Sequence, residues 1–391
     1  MGEQAGNPAV ELIDTPDALK RFCASLRGAE WLALDTEFIR ETTYYPQLCL
    51  IQVAVPGQAA CIDPMRIDDL SALEAMLYDR ATIKVMHSCS QDMEVMMNRF
   101  GRVPGPVFDT QLAAPLLGHP EQLGYAKLVK ALLDVDLDKS QTRTDWSQRP
   151  LEPAQLRYAA DDVIYLAQLY PLLRERLEQR GRLEWLEPEF SALEDPARYQ
   201  PAPEDAWRRV KGLDRLRPAA LAVAQALAVW REHRARADNV PRGWLFKDDV
   251  LLDLARLAPR DTGRLEKIRG LSARTRGRYG RAIVEQIREA GGREPQPLPA
   301  RVLRDKASHL EEAALDLLQA RLRLVGDSCG LNPALLGSRR QLLALLRGER
   351  ELPLLQGWRG RLAGAALIAL LEGREALYIG GGAARLRRFE D

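Results

Sequence analysis

The sequence has few of the residues from which metal clusters and covalent staples are made. Its four histidines, at 87, 119, 233 and 309, are too scattered for a His-rich metal cluster. The five cysteines (Cys23, Cys49, Cys61, Cys89 and Cys329) are odd in number and form no C-x-x-C pair. They read as reduced thiols, mostly in the core, so neither a disulfide framework nor a zinc site is expected. No G-x-x-x-x-G-K-[ST] loop occurs, so the chain is not a helicase motor and no nucleoside triphosphate partner is expected. Long apolar runs are missing too. The longest stretch without a charge, Thr42–Ile62, covers 21 residues but contains Pro46, Pro56, Gly57 and three Gln. It reads as a strand pair and not as a membrane span. The opening MGEQAGNPAVELID lacks the basic start and apolar run of a signal peptide. The expectation is a cytoplasmic protein without a membrane partner.

What is present describes a large globular chain. With 391 residues, 46% hydrophobic and 28% charged, it has material for two or three domains, and it is neither fibrous nor disordered. The net charge of +1 hides a division. Residues 1–200 carry 20 Lys+Arg against 31 Asp+Glu, and residues 201–391 carry 36 against 24. An acidic half followed by a basic half suggests two tasks, the second facing a polyanion, although a solvated Arg-rich helical surface fits the same numbers.

The first half alternates strand and helix signals. Strands are expected at Trp31–Asp35, Leu48–Val55, Ala59–Ile62 and Ile83–His87, and helices at Asp69–Tyr78 and from about Ser90. Helical patterns then dominate through Leu112–Leu117, Tyr125–Leu133 and Pro153–Gln179, which gives an α/β sandwich with a mixed sheet. Residues 187–205 hold four prolines and read as a linker, and beyond them only amphipathic helices are expected. A break at Gly291–Pro299 divides that region into two parts that look alike. Ile268-Arg-Gly270 before a helix at Ala282–Arg288 matches Leu355-Gln-Gly357 before Ala365–Leu371, each with an earlier proline, Pro241 or Pro333. A duplicated helical module is the expectation.

The chemistry sits in acidic residues. In Trp31-Leu-Ala-Leu-Asp35-Thr-Glu37-Phe38, strand alternation sends Asp35 and Glu37 to one side, where a divalent cation would relieve their repulsion. Alone, such a pair reads better as surface charge. Asp92 falls in the first turn of the helix after the fourth strand, where an acid is favourable in any case. Tyr158 and Asp162, four apart on a helix, share one face, and Asp161 beside them reads as solvated.

As a set and in this order, Asp35/Glu37, Asp92 and Tyr158-x-x-x-Asp162 resemble the DEDD exonuclease superfamily in its tyrosine subclass. The segments LALDTEFIRETTYYPQLCLIQVA, VMHSCSQDMEVM, FDTQLAAPLLG and DKSQTRTDWSQRPLEPAQLRYAADDVIYL are similar to the ribonuclease D family across roughly residues 10–185. Residues 205–290 resemble the HRDC domain, and residues 300–380 do so more loosely. The resemblance implies a ribonuclease H-like exonuclease domain over 8–190, an HRDC domain over 205–291 and a second HRDC-like domain over 299–382, both helical. It implies a 3′→5′ exoribonuclease that releases nucleoside 5′-monophosphates from RNA with a free 3′ end, with precursor tRNA as the substrate class. Two Mg²⁺ or Mn²⁺ ions would be held by Asp35, Glu37, Asp92 and Asp162. Asp35 would bridge them, and Tyr158 would position the attacking water. Thr36 and Phe38 would hold the terminal nucleotide, Phe38 by stacking or wedging and Thr36 through its backbone or hydroxyl, although Phe38 reads equally as a core residue.

Other residues near these motifs read more plainly. His87 is expected to be structural and Asp109 to cap a helix. Lys139, Gln141, Arg143, Asp145 and Trp146 form a polar loop that would reach the substrate or simply face solvent. In the basic half, Arg208, Arg209, Lys211, Arg231, Arg234 and Arg236, and the turn Ile268–Ser272 with Arg274, Arg276, Arg278 and Arg281, are candidates for phosphate contact. Trp230, Trp244, Phe246 and Trp358 read as core, and Gly380–Gly382 with its basic tail as a frayed end. Rival readings are a DNA exonuclease with the same site, a non-catalytic RNA-binding scaffold, and a protein-interaction module. A monomer is the default.

Overall fold

Runs of Val, Ile, Leu, Ala and Cys in the first 110 residues form one sheet, because only a two-sided cover of helices can bury strands so apolar on both faces. The computed structural model describes residues 9–138, 141, 144–298 and 307–389. Six strands, β1 (Val10–Ile13), β2 (Trp31–Ile39), β3 (Gln47–Val55), β4 (Gln58–Ile62), β5 (Ile83–Met86) and β6 (Val107–Asp109), lie in the order β1-β4-β3-β2-β5-β6. The β2–β3 and β3–β4 pairs are antiparallel; the remaining pairs are parallel. The sheet is mixed, as expected. The strands β1 and β6 escaped sequence reading because four and three residues are too few to display a period.

Helices cover both faces. On one side lie α1 (Pro16–Ser25), α2 (Ser71–Leu77) and α3 (Ser90–Phe100), packed on Leu32, Leu34, Ile51 and Val53. On the other lie α4 (Thr110–Ala113), α5 (Tyr125–Leu133) and the long α6 (Pro153–Gln179), packed on Ala33, Leu50 and Cys61. Successive residues of β2 thus enter different cores, as strand pleating requires. Pro153 at the first turn and a capping box between Glu152 and Gln155 fix where α6 begins.

The segment 187–205 is not an open linker. It forms α7 (Glu187–Leu193) and short 3₁₀ turns, and buries Leu193 and Tyr199. Its prolines start these turns instead of breaking them: Pro188 and Pro196 stand at first-turn positions, where no backbone N–H is needed.

The basic half holds two helical units. The first has α8 (Pro218–Ala237), α9 (Arg242–Leu245), α10 (Asp248–Leu257), a 3₁₀ turn and α11 (Ala273–Ala290), around a core of its own. The second has α12 (His309–Cys329), α13 (Pro333–Leu336), α14 (Arg339–Leu346), a 3₁₀ turn, α15 (Gly357–Arg359) and α16 (Ala365–Leu371), the last two joined by a π-turn. The element order is the same in both. Gly270 and Gly357 each take positive φ, +82° and +53°, where a helix must follow a tight turn.

Two expectations are corrected in this half. Strands do occur after residue 205: β7 (Glu375–Gly380) and β8 (Ala383–Arg388) make an antiparallel hairpin. Gly381 and Gly382, at φ +60° and +79°, form its turn and are not a frayed end. The buried pair Arg321–Glu375, at 2.9 Å, ties the hairpin to α12. Lys139 and Arg143 lie outside the described residues, as do residues 8 and 299 at which two of the expected domains begin.

The second helical unit shares a hydrophobic core with the α6 face of the sheet domain. Trp185 and Trp358 stack at 4.8 Å with rings 8° apart, and Arg359 pairs with Glu189 at 2.9 Å. Arg182 donates to the carbonyls of both Leu116 and Cys329. The first unit meets the sheet domain through the β2–β3 loop. Asn239 Oδ1 accepts from the backbone N–H groups of Tyr44 and Tyr45 at 3.1 Å each, and the Tyr44 hydroxyl donates to Glu232.

Candidate active site

The pleat of β2 sends Asp35 and Glu37 toward the α6 face, and Asp162 faces them from the middle of that helix. Carboxylate oxygens of these three residues lie within 4.8 Å of one another. Beside them the β2–β3 ladder slips: Glu37 opposes Leu50 but Phe38 opposes Leu48, a bulge that bends the strand at the site.

Asp92 arrives from the opposite side of the sheet, in the first turn of α3, and is not part of that close group of three. Its place is set by a chain of polar contacts. Asp109 accepts from the backbone N–H groups of Ser88 and Cys89 at 3.0 Å, and from Gln111 at 2.8 Å. One carboxylate thus caps α4, as expected, and also fixes the turn that launches α3, where Ser88 takes φ +59°. Thr36 then holds the Asp92 carboxylate directly, its hydroxyl donating at 2.5 Å. Thr36 is 5% exposed. Of the two ways in which it was expected to hold a nucleotide, the hydroxyl is already committed to Asp92.

The electrostatics suit a cation. Burial, then repulsion from Asp92, Asp162 and Glu37, holds Asp35 well above the usual carboxylate range. Burial and the charges of Asp162 and Asp92 push Glu37 up to about 8. Burial, Asp161 and Asp92 push Asp162 up to about 7. Asp92 rises to about 6 through burial, opposed by the Thr36 hydrogen bond. Carboxylates in this state bind protons unless another positive charge takes their place, and oxygen donors so closely grouped fit a divalent cation.

Tyr158 stands one turn before Asp162 on α6, half-buried, with its ring 6.2 Å from that of Trp146. Trp146 is buried, so this part of the polar loop is packed and not solvated. Arg149 fastens the loop's end: it donates to the Trp146 carbonyl at 2.7 Å, to the Cys49 carbonyl at 2.8 Å and to Asp63 from two nitrogens. Phe38 is half-buried beside the site and leans on the α3-side core. Asp161 is half-buried, not fully solvated as expected.

Sequence reasoning missed Tyr125. It donates from its hydroxyl to the Asp161 carbonyl at 3.0 Å, and burial with the charges of Asp162 and Asp35 raises its pKa. No motif marks it; its place follows only from the packing of α5 on α6. His87 is built in as structure. Its Nδ1 meets the Thr110 hydroxyl at 2.9 Å, its ring lies 5.5 Å from Tyr125, and burial lowers its pKa.

The 3′–5′ exonuclease family pattern matches residues 10–178, and the HRDC domain pattern matches residues 220–287. Ribonuclease D of Gluconacetobacter diazotrophicus is 38% identical over 97% of this chain and 97% of its own. That of Zymomonas mobilis is 39% identical over 94% and 95%. The crystal structure of Escherichia coli RNase D, described as an exoribonuclease involved in structured RNA processing, superposes with a TM-score of 0.80 at 36% identity. The match covers 93% of this chain and 99% of that one. Likeness that runs through both the acidic sheet domain and the basic helical half makes this chain a member of the ribonuclease D family of exoribonucleases.

Proposed function

We propose that the protein trims RNA from the 3′ end, releasing nucleoside 5′-monophosphates, with precursor tRNA as a substrate class. The observation that carries this reading is the convergence of Asp35 and Glu37 from β2, Asp162 from α6 and Asp92 from α3 beside Tyr158. Nothing in the packing of a merely structural domain calls for four repelling acids at one end of a sheet.

Asp35, Glu37, Asp92 and Asp162 would hold two Mg²⁺ or Mn²⁺ ions. When bound, such ions supply Lewis-acid stabilisation of the scissile phosphate and lower the pKa of the attacking water. The chain's own residues do the rest. Tyr158 offers a hydroxyl to orient that water. Phe38 presents a ring to the terminal base. Thr36 keeps Asp92 aimed, and Trp146, tied down through Arg149, supports the Tyr158 ring.

We read residues 8–190 as the exonuclease domain, 205–291 as an HRDC domain and 299–382 as a second HRDC-like domain. The repeated element order of the two helical units supports the last. A monomer is expected, since one chain supplies all three parts. Among the described residues no helix is long and apolar enough to cross a membrane. All five cysteines are free, which fits the reducing cytoplasm.

The test is to incubate a 5′-labelled RNA with a 3′ overhang and the protein, with Mg²⁺ or with EDTA, beside the matching DNA. Stepwise shortening from the 3′ end, stopped by EDTA and faster on RNA, is the expected result. Faster shortening of DNA would reassign the substrate. Binding of RNA without metal-dependent shortening would leave only the scaffold reading.

A further inference from the structure

Most arginines of the first helical unit are spoken for. Arg231 pairs with Asp248, Arg234 with Asp238, and Arg209, Arg236 and Arg242 with Glu232. Within the basic run 231–236, these pairs hold Arg231 and Arg236 inward, with side chains 8% and 22% exposed. Of the four arginines around the start of α11, Arg276 turns inward to the Leu271 carbonyl at 2.7 Å. Arg274 and Arg278 instead edge a groove of about 320 Å³ between α9 and α11.

Trp244 forms the opposite wall of this groove. Sequence reading made it a core residue, yet it is 58% exposed, while Trp207, Trp146 and Trp358 are buried. Trp230 and Phe246, grouped with it, do pack inside, stacked on each other at 6.1 Å. Val240, Leu245, Thr275 and Tyr279 line the rest. An indole is thus open to water beside two guanidinium groups. Among the described residues no carboxylate lines the groove. Asp238 pairs with Arg278 at 3.5 Å, leaving half of that side chain exposed, and accepts from the Tyr279 hydroxyl.

Position adds to chemistry. Arg242 and Gly243, the residues just before Trp244, line a neighbouring cleft of about 830 Å³. The far wall of that cleft is Arg40 and Tyr45, just beyond the end of the strand that carries Asp35 and Glu37. The short helix α9 thus separates the cleft from the groove. An exposed aromatic face with flanking guanidinium groups is the chemistry that takes an unstacked base and its phosphates without reading sequence. An acidic peptide would use the arginines but leave the indole without a task.

We propose that the α9–α11 groove is a subsite for single-stranded RNA upstream of the scissile end, with a base stacked on Trp244 and phosphates on Arg274 and Arg278. This rests on the exoribonuclease reading above. The test compares kcat/KM for a 12-nucleotide RNA and for a trinucleotide too short to leave the active site. Trp244→Ala should lower the dodecamer-to-trinucleotide ratio about ten-fold, mainly through KM, and Trp244→Phe should restore most of it. Arg274→Glu should lower the same ratio and make its loss with salt shallower. Unchanged melting of each variant by circular dichroism checks the fold. An unchanged ratio in Trp244→Ala, or an equal loss on both substrates, overturns the subsite while leaving the nuclease reading intact. A parent chain that shortens neither RNA brings down both.

Discussion

The phenol of Tyr44 donates a hydrogen bond to the carboxylate of Glu232, a residue 188 positions further along the chain. Tyr44 lies on the loop that leaves the strand carrying Asp35 and Glu37, and Glu232 is the fully buried centre of Arg209, Arg236 and Arg242, each at 3.2–3.3 Å. Burial acts to raise the Glu232 pKa, but the Tyr44 hydroxyl and the three arginines outweigh it and hold the carboxyl below its ordinary value. The strand that bears the acids and the first helical unit are thereby fastened to one another.

Glu232→Gln removes the charge that three cations share. It should cost roughly 1–3 kcal/mol in urea unfolding followed by tryptophan fluorescence, since the arginines are partly exposed and regain some hydration. Tyr44→Phe should cost about 1 kcal/mol. If Glu232→Gln were neutral, the carboxylate would not be the centre of this contact.

Asp162→Asn should separate activity from stability. The amide keeps the shape of the side chain and removes one of the buried repelling charges, so hydrolysis is lost while the metal-free chain gains on the order of a few degrees in Tm at pH 8. Differential scanning calorimetry in EDTA, with the RNA assay alongside, measures both. A lower Tm would mean that the carboxylate is held by contacts stronger than the repulsion.

The acids also fix a pH dependence. Their folded pKa values, about 6 for Asp92, about 7 for Asp162 and about 8 for Glu37, lie above the ordinary value near 4. The folded chain therefore binds more protons than the unfolded chain between about pH 4 and 8, and metal-free stability falls as pH rises through that window. Mg²⁺ competes with those protons, so its stabilisation should grow over the same range. Melting curves with EDTA and with Mg²⁺ at pH 5, 6.5 and 8 should diverge as pH rises; parallel curves would contradict the cluster's charge state.

Tyr158→Phe keeps the ring against Trp146 and deletes only the hydroxyl. Loss of kcat by about 10²-fold, with KM and Tm unchanged, is the outcome for a water-positioning group. Full activity would place the nucleophile elsewhere.

Much of this was legible in the order of residues. Alternation in β2 puts Asp35 and Glu37 on one face, and four-residue spacing does the same for Tyr158 and Asp162, but only the family likeness joined the two pairs into one site. Asp92 needed the family likeness, because an acid in the first turn of α3 is favourable for local reasons. Tyr125, Arg149 and the hold of Thr36 on Asp92 were not legible. They depend on which elements pack together, and no spacing along the chain encodes that. Trp244 failed for the opposite reason: its hydrophobicity argued for burial, and only the turn at Pro241 and Arg242 leaves it outside. The prolines of 187–205 misled because the same residue that breaks a helix also begins one.

Trp185 and Trp358, stacked across the junction of sheet domain and second helical unit, alter how the molecule comes apart. Along the chain there are three segments, but the outer two share one apolar core and the middle one keeps its own. Heat or denaturant should therefore find two cooperative blocks, with the middle segment free to melt alone and the last one bound to the fate of the first. Shortening the protein from its end strips the cover from α6, the helix that carries Tyr158 and Asp162, whereas the segment nearer in sequence is the one the catalytic domain can lose with its core intact.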